Sequence, residues 1–176
     1  MGFSFVLWVK EGDRVNDRFP NNMTIDAVFD KYCDTVYRLA FARMKNRYDA
    51  EDVLQTVFLK LLKTDTVFSE EEHLKAWLLK VTVNSSKNLL TSAWMRLTDS
   101  MRDDITVDMP ENMEVYPAVM ALPAKYRTVI HLFYYEGYSC CEIAALTNTS
   151  EATVKTRLAR ARQRLSIALK GEVFDV

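Results

Sequence analysis

Ser139-Cys140-Cys141-Glu142-Ile143-Ala144-Ala145-Leu146, then Thr147-Asn148-Thr149, then Ser150-Glu151-Ala152-Thr153-Val154-Lys155-Thr156-Arg157 run on without a break. Two short helical patterns flank a tight polar turn. Ser139 with Glu142 three residues on has the signature of a capping box, and Ser150 is a favoured N-cap residue. Two capped helices this close together have the layout of a helix-turn-helix. In the second helix Val154, Leu158, Ala161, Leu165 and Ala168 recur at helical spacing and form one apolar stripe. The opposite face carries Ala152, Lys155, Thr156, Ala159, Arg160 and Gln163, with Arg157, Arg162 and Arg164 on the flanks. Residues 147–170 hold six basic side chains and one acidic one, in a chain whose net charge is −1. Small residues let a helix approach a major groove, Lys and Arg reach base edges, and flanking Arg hold phosphates. A merely solvated amphipathic helix has a similar charge run. The turn, both caps and the small-residue face together favour duplex DNA.

The chain has 176 residues, 49% of them apolar, enough for one sizeable core or two small ones. Four Gly and four Pro among long periodic Leu-, Val- and Ala-rich runs predict an all-α protein. Because the chain as a whole is nearly neutral, any nucleic-acid surface is local. Cys33, Cys140 and Cys141 give an odd count without C-x-x-C spacing, which disfavours a disulfide framework or zinc site and fits a reducing cytoplasm. The adjacent Cys140 and Cys141 read as small first-turn residues, with a redox or soft-metal sensor as the sharper alternative. His73 and His131 are far apart, and no phosphate cradle or catalytic constellation is present. No metal, no cofactor and no enzymatic activity are expected.

Outward from the C-terminal third, the N-terminal half carries three amphipathic patterns. Residues 1–23 are expected to be a disordered extension or the product of an early start. The apolar run at 3–9 is too short to span a membrane, although it leaves an interfacial anchor open. Ile25, Val28, Phe29, Tyr32, Val36 and Leu39 mark a first helix ending near Asn46. Asp49, with Asp52 at the capping-box position, is expected to open a second helix that buries Val53, Leu54, Val57, Phe58, Leu61 and Leu62 and exposes Glu51, Gln55 and Lys60. A polar loop carrying Phe68 leads to Ser69 and Glu72, which predict the start of a third helix with Leu74, Trp77, Leu78 and Val81 inward. Residues 24–97 thus form one bundle. Residues 98–114 carry six acidic residues and one Arg and read as a flexible linker. The helix-turn-helix domain occupies 115–170, with Gly137 suited to a helix C′ position, and 171–176 form a tail. The expected architecture is two small helical domains tethered by an acidic strap.

The motifs in this order resemble the extracytoplasmic-function sigma factors of bacterial RNA polymerase. The carriers are Asp49-Ala50-Glu51-Asp52-Val53-Leu54-Gln55-Thr56-Val57-Phe58, Trp77-Leu78-Leu79-Lys80-Val81-Thr82-Val83-Asn84, Leu122-Pro123-Ala124-Lys125-Tyr126-Arg127, Glu142-Ile143-Ala144 and Thr153-Val154-Lys155-Thr156-Arg157-Leu158-Ala159-Arg160-Ala161-Arg162. Each is weak alone; five in sequence are specific. The resemblance implies promoter recognition with core RNA polymerase, through its β′ clamp helices and β flap, and an anti-sigma factor as a further partner. Glu51, Asp52 and Gln55 would dock on the clamp helices. Phe68 would clamp a flipped base of the −10 element's melted strand, which Asn84, Lys87 and Asn88 would read. Ala152, Lys155, Thr156, Ala159 and Arg160 would read the −35 element, with Arg157, Arg162 and Arg164 on the backbone. Phe68 tucked into the bundle is the competing reading. Thr56 and Ala159 depart from the acidic and bulkier residues the family often has there. Two rivals stand beside this one: a stand-alone helix-turn-helix regulator, which would bind duplex tightly without polymerase, and a protein that only sequesters a partner, which has no use for the basic face.

Overall fold

The computed structural model describes residues 18–96 and 115–172, the side chains of 92–96 and 170–172 excepted. Among the described residues there are helices and no strands. In the N-terminal bundle, α1 (Ile25–Met44), α2 (Arg47–Lys63) and α3 (Glu71–Arg96) pack mutually. Thr24 caps α1 by accepting from the Ala27 N–H, and Lys45 ends it in a left-handed conformation. Asn46, not Asp49, caps α2: its side chain accepts the Asp49 N–H at 3.1 Å, so the helix starts two residues before Asp49. Asparagine tolerates the extended cap geometry and supplies the same acceptor. Likewise α3 begins at Glu71, a little beyond the expected Ser69.

Two expectations fail in this bundle, for one reason. Residues 18–23 are not an extension: Phe19 is 3% exposed, Pro20–Asn22 form a short 3-10 turn, and the Phe68 N–H donates to the Arg18 carbonyl at 2.7 Å. Phe68, only 1% exposed, is not presented to a DNA strand. Its ring stacks on Phe19 at 6.3 Å between centroids and meets His73 and Trp77 edge-on at 5.5 and 5.6 Å. The apolar gap beneath the α2–α3 loop is filled by two aromatics that hide each other, a contact spanning nearly fifty residues of sequence. Residues 1–17 and the acidic linker at 98–114 lie outside the described residues.

The C-terminal part comprises α4 (Val115–Ala121), α5 (Ala124–Ile130), a π-helical turn (His131–Tyr135) continuing it, α6 (Cys140–Thr147) and α7 (Glu151–Glu172). Gly137 takes φ +75°, the left-handed value that frees the chain from the π turn. Ser139 and Glu142 make the full capping box around the start of α6, and these bonds hold the Glu142 carboxyl below the usual range. Asn148 closes α6 at φ 51°, and the Ser150 hydroxyl accepts the Thr153 N–H to open α7. Val154, Leu158 and Ala161 are buried on this core and Leu165 is half-buried, whereas Ala168 is exposed.

The two helical units do not stand apart. Leu39 of α1 and Leu79 and Val83 of α3 join the apolar cluster of Val129, Ile143 and Leu158, and Met120 of α4 packs on the N-terminal core. Polar contacts close the seam. Arg127 donates through Nε to the Ala42 carbonyl and through Nη2 to the Arg43 carbonyl at 2.8 Å, while Arg43 donates to the Thr128 hydroxyl at 2.5 Å. Lys75 of α3 pairs with Glu136 at 2.8 Å. Burial pushes the Glu136 carboxyl up, but His131 and Lys75 outweigh it and leave the group below its ordinary value.

Replacing Phe19 with Ala removes a fully packed aromatic, and the expected loss is about 3–5 kcal/mol. Urea unfolding of the variant checks this. A change within error would return residues 18–23 to the status of an extension.

Candidate nucleic-acid interface

The C-terminal site is built from the side of α7 left over once its apolar stripe is buried. Ala152, Lys155, Thr156, Ala159 and Arg160 are all exposed, as the helical wheel predicts. The structure divides them further. Ala152, Thr156 and Arg160, one turn apart, line a groove of about 310 Å³ with Thr153, Arg157, Lys125 and Tyr126. Lys155 is not among the lining residues; it pairs with Glu151 at 2.7 Å, an exposed i,i+4 contact that raises its pKa. Ala159 likewise is outside the groove lining.

The three flanking arginines have different surroundings. Arg157 is half-buried and lines the groove. Arg162 donates to the Tyr134 hydroxyl at 2.8 Å and lies over the Phe133 and Tyr134 rings, and Arg164 lies 5.3 Å from the Tyr126 ring. Both residues remain exposed, held by aromatic rings of α5 and the π turn. Lys125, across the groove from α7, was invisible to the wheel because it belongs to another helix.

A second polar surface lies on α3. Lys87 and Asn88 are exposed and Asn84 half-exposed, while Thr82, Ser85 and Ser86 turn inward. Thr82 and Ser86 spend their hydroxyls on the Leu78 and Thr82 carbonyls, at 2.8 and 2.7 Å, and Ser85 accepts from Lys60 at 3.0 Å. These bonds satisfy the buried hydroxyls within the bundle and leave the amides outward. Phe68 does not join this patch.

A third surface lies on α2. Asp52 and Gln55 are exposed; Glu51 is half-buried and held by Arg47 at 2.8 Å. Tyr48 is 66% exposed and Leu59 40%, and with Asp52 and Gln55 they fall at 48, 52, 55 and 59, along a single helix face. An aromatic and a leucine bracketing two acceptors look like a protein-docking stripe. Neither Tyr48 nor Leu59 is among the residues singled out from the sequence.

Comparison with known proteins fits this arrangement. A Sigma-70 region 2 family model matches residues 28–96, and a Sigma-70 region 4 model matches residues 112–165. The Bacillus subtilis extracytoplasmic-function (ECF) sigma factor SigM is 30% identical over 165 residues, 87% of this chain and 99% of that protein. This chain belongs to the ECF sigma factors. RNA polymerase sigma factor SigV of the same bacterium is 32% identical over 144 residues, covering 77% of this chain and 85% of its own. Among solved structures, the sigma factor RpoE of Bartonella quintana, in complex with the anti-sigma factor NepR, has the same fold at TM-score 0.71 and 23% identity. It covers 86% of this chain and 98% of that one. As a sigma factor, the protein serves promoter recognition and transcription initiation, with core RNA polymerase and promoter DNA as its partners. Among the described residues no helix is long and apolar enough to cross a membrane, and no group of His, Cys, Asp or Glu is placed to hold a metal.

Replacing Arg160 or Lys155 with Ala is expected to cost roughly 1–3 kcal/mol of discrimination for the −35 element. Run-off transcription on intact and scrambled −35 sequences reads the effect, and co-purification with core polymerase should be unchanged. Loss of polymerase binding would contradict the separation of the two surfaces.

Proposed function

We propose that this sigma factor divides initiation between its three exposed surfaces. The α2 stripe docks on the clamp helices of the β′ subunit, Asp52 and Gln55 offering acceptors to basic partners and Glu51 supporting from beside Arg47. The C-terminal domain, which also meets the β flap, places α7 in the −35 major groove. Asn84, Lys87 and Asn88 hold the melted non-template strand of the −10 element, where unpaired bases offer edges to amides and phosphates to the ammonium. Melting is driven by capture of unpaired bases; it needs no ATP and no covalent chemistry by this chain. Aromatic clamping by Phe68 is left out of this mechanism because the ring is fully packed against Phe19 and Trp77.

The observation that carries this reading is the outward polar patch on α3, in a helix whose buried hydroxyls at Thr82, Ser85 and Ser86 are bonded within the bundle. An anti-sigma factor is a further proposed partner, since RpoE is held in complex with the anti-sigma factor NepR and CnrH with the cytosolic domain of CnrY. The site of action is the cytoplasm, where the polymerase works.

Replacing Asn84 and Asn88 together with Ala should impair strand opening more than initial docking. Permanganate reactivity of −10 thymines in complexes formed with polymerase should fall several-fold while closed-complex footprints persist. Normal reactivity would remove the α3 patch from the mechanism.

A further inference from the structure

We infer that the segment 18–22 is a brace that positions the α2–α3 loop for capture of the melted strand, an inference that rests on the −10 reading proposed above. The brace stands outside the Sigma-70 region 2 match, which begins at residue 28. The loop, residues 64–70, leaves α2 just past Lys60, and Lys60 itself bonds Ser85, the neighbour of Asn84 on the α3 patch. A loop has no ladder of its own, so its shape is set by whatever partners its backbone finds.

The brace supplies those partners at both ends of the loop and in its middle. Arg18 donates through Nη1 to the Thr64 carbonyl, where α2 ends. The Arg18 carbonyl accepts the Phe68 N–H at 2.7 Å, and Phe19 covers the Phe68 ring. Asn21 donates to Oε1 of Glu71 at 3.0 Å, where α3 begins, while Lys31 and Tyr32 hold Oε2 of the same carboxylate. A sharp reversal makes this reach possible. Pro20 is buried in a short 3-10 turn, and Asn21 and Asn22 follow at φ 56° and 52°, a left-handed conformation that asparagine adopts more readily than most residues. Phe19 therefore lies over the loop while Asn21 reaches the start of α3.

The consequence is a fixed outer edge. Phe68 is buried and Thr64 and Thr66 are half-buried, their hydroxyls bonded to each other at 2.8 Å, which leaves Asp65, Val67 and Ser69 exposed. A loop already held in one shape loses little conformational freedom when a strand arrives, so more of the contact energy is left for capture. Arg18, Phe19 and Asn21 are positioning residues in this sense: they act through the loop and not on the strand.

The test uses the full chain assembled with core polymerase. Arg18→Ala combined with Asn21→Ala removes the side-chain clamps and leaves Phe19 in place, so circular dichroism and co-purification with polymerase should be unchanged. Permanganate reactivity of −10 thymines should fall several-fold while closed-complex footprints persist. The ranking of single-base −10 substitutions by transcript yield should flatten, a change that loss of stability alone does not produce. Arg18→Lys, which keeps a donor for the Thr64 carbonyl, should retain most of the reactivity. Wild-type reactivity and ranking in the double variant, with the paired Asn84 and Asn88 substitutions still impaired, overturn the brace and leave the −10 reading standing. Raised reactivity overturns it too, because the segment would then mask Phe68 instead of setting the loop. If neither pair of substitutions has an effect, both ideas fall.

Discussion

Burial of Val154, Leu158 and Ala161 fixes the rotation of α7, and every outward contact of that helix depends on this rotation. A helix turned by one residue, about 100°, would carry a different set outward. With the stripe held against α5 and α6, Ala152, Thr156 and Arg160 are left facing water along the groove. The capping box at Ser139 and the left-handed Asn148 serve the same end, since they set where α6 stops and α7 begins. Recognition by this domain is therefore a by-product of core packing: the apolar side chains determine where the cations point.

The N-terminal bundle applies the same constraint to two helices at once. Val53, Val57 and Leu61 hold α2 so that Asp52 and Gln55 face outward, with Tyr48 and Leu59 on their line. Leu74 and Leu78 do so for α3, and its buried Thr82, Ser85 and Ser86 hydroxyls close on the helix's own carbonyls or on Lys60. One compact unit thereby presents an exposed stripe on α2 and an exposed polar patch on α3, the two surfaces proposed to meet polymerase and the melted strand. Apolar side chains on the seam, Leu39, Leu79 and Val83, then tie this unit to the other.

Features that depend on near neighbours were readable from the amino-acid order. Both caps of the helix-turn-helix, the turn residue Gly137, the buried stripe of α7 and the exposure of its opposite face all follow from spacing within a few residues. Features that depend on distant partners were not. Phe68 looks like a free loop aromatic until Phe19 lies over it. Nothing local announces that Tyr134 and Tyr126 lie beneath Arg162 and Arg164. Asn46 displaced Asp49 as the cap of α2 because both residue types suit the position and local preference alone does not choose. The shared apolar seam was not legible either, since the burial of Leu39 and Leu79 is equally consistent with a core inside one unit or between two; the expected acidic tether at 98–114 lies outside the described residues.

The central claim is that one chain grips the transcription machine with its front unit and a duplex groove with its rear one. Multi-round run-off transcription from a promoter upstream of its own coding region, using purified core RNA polymerase with and without the protein, tests it most directly. The account predicts a defined transcript that appears only when both are present and disappears when the −35 element is scrambled. A chain that binds the same DNA tightly by itself and leaves core polymerase inactive would contradict it.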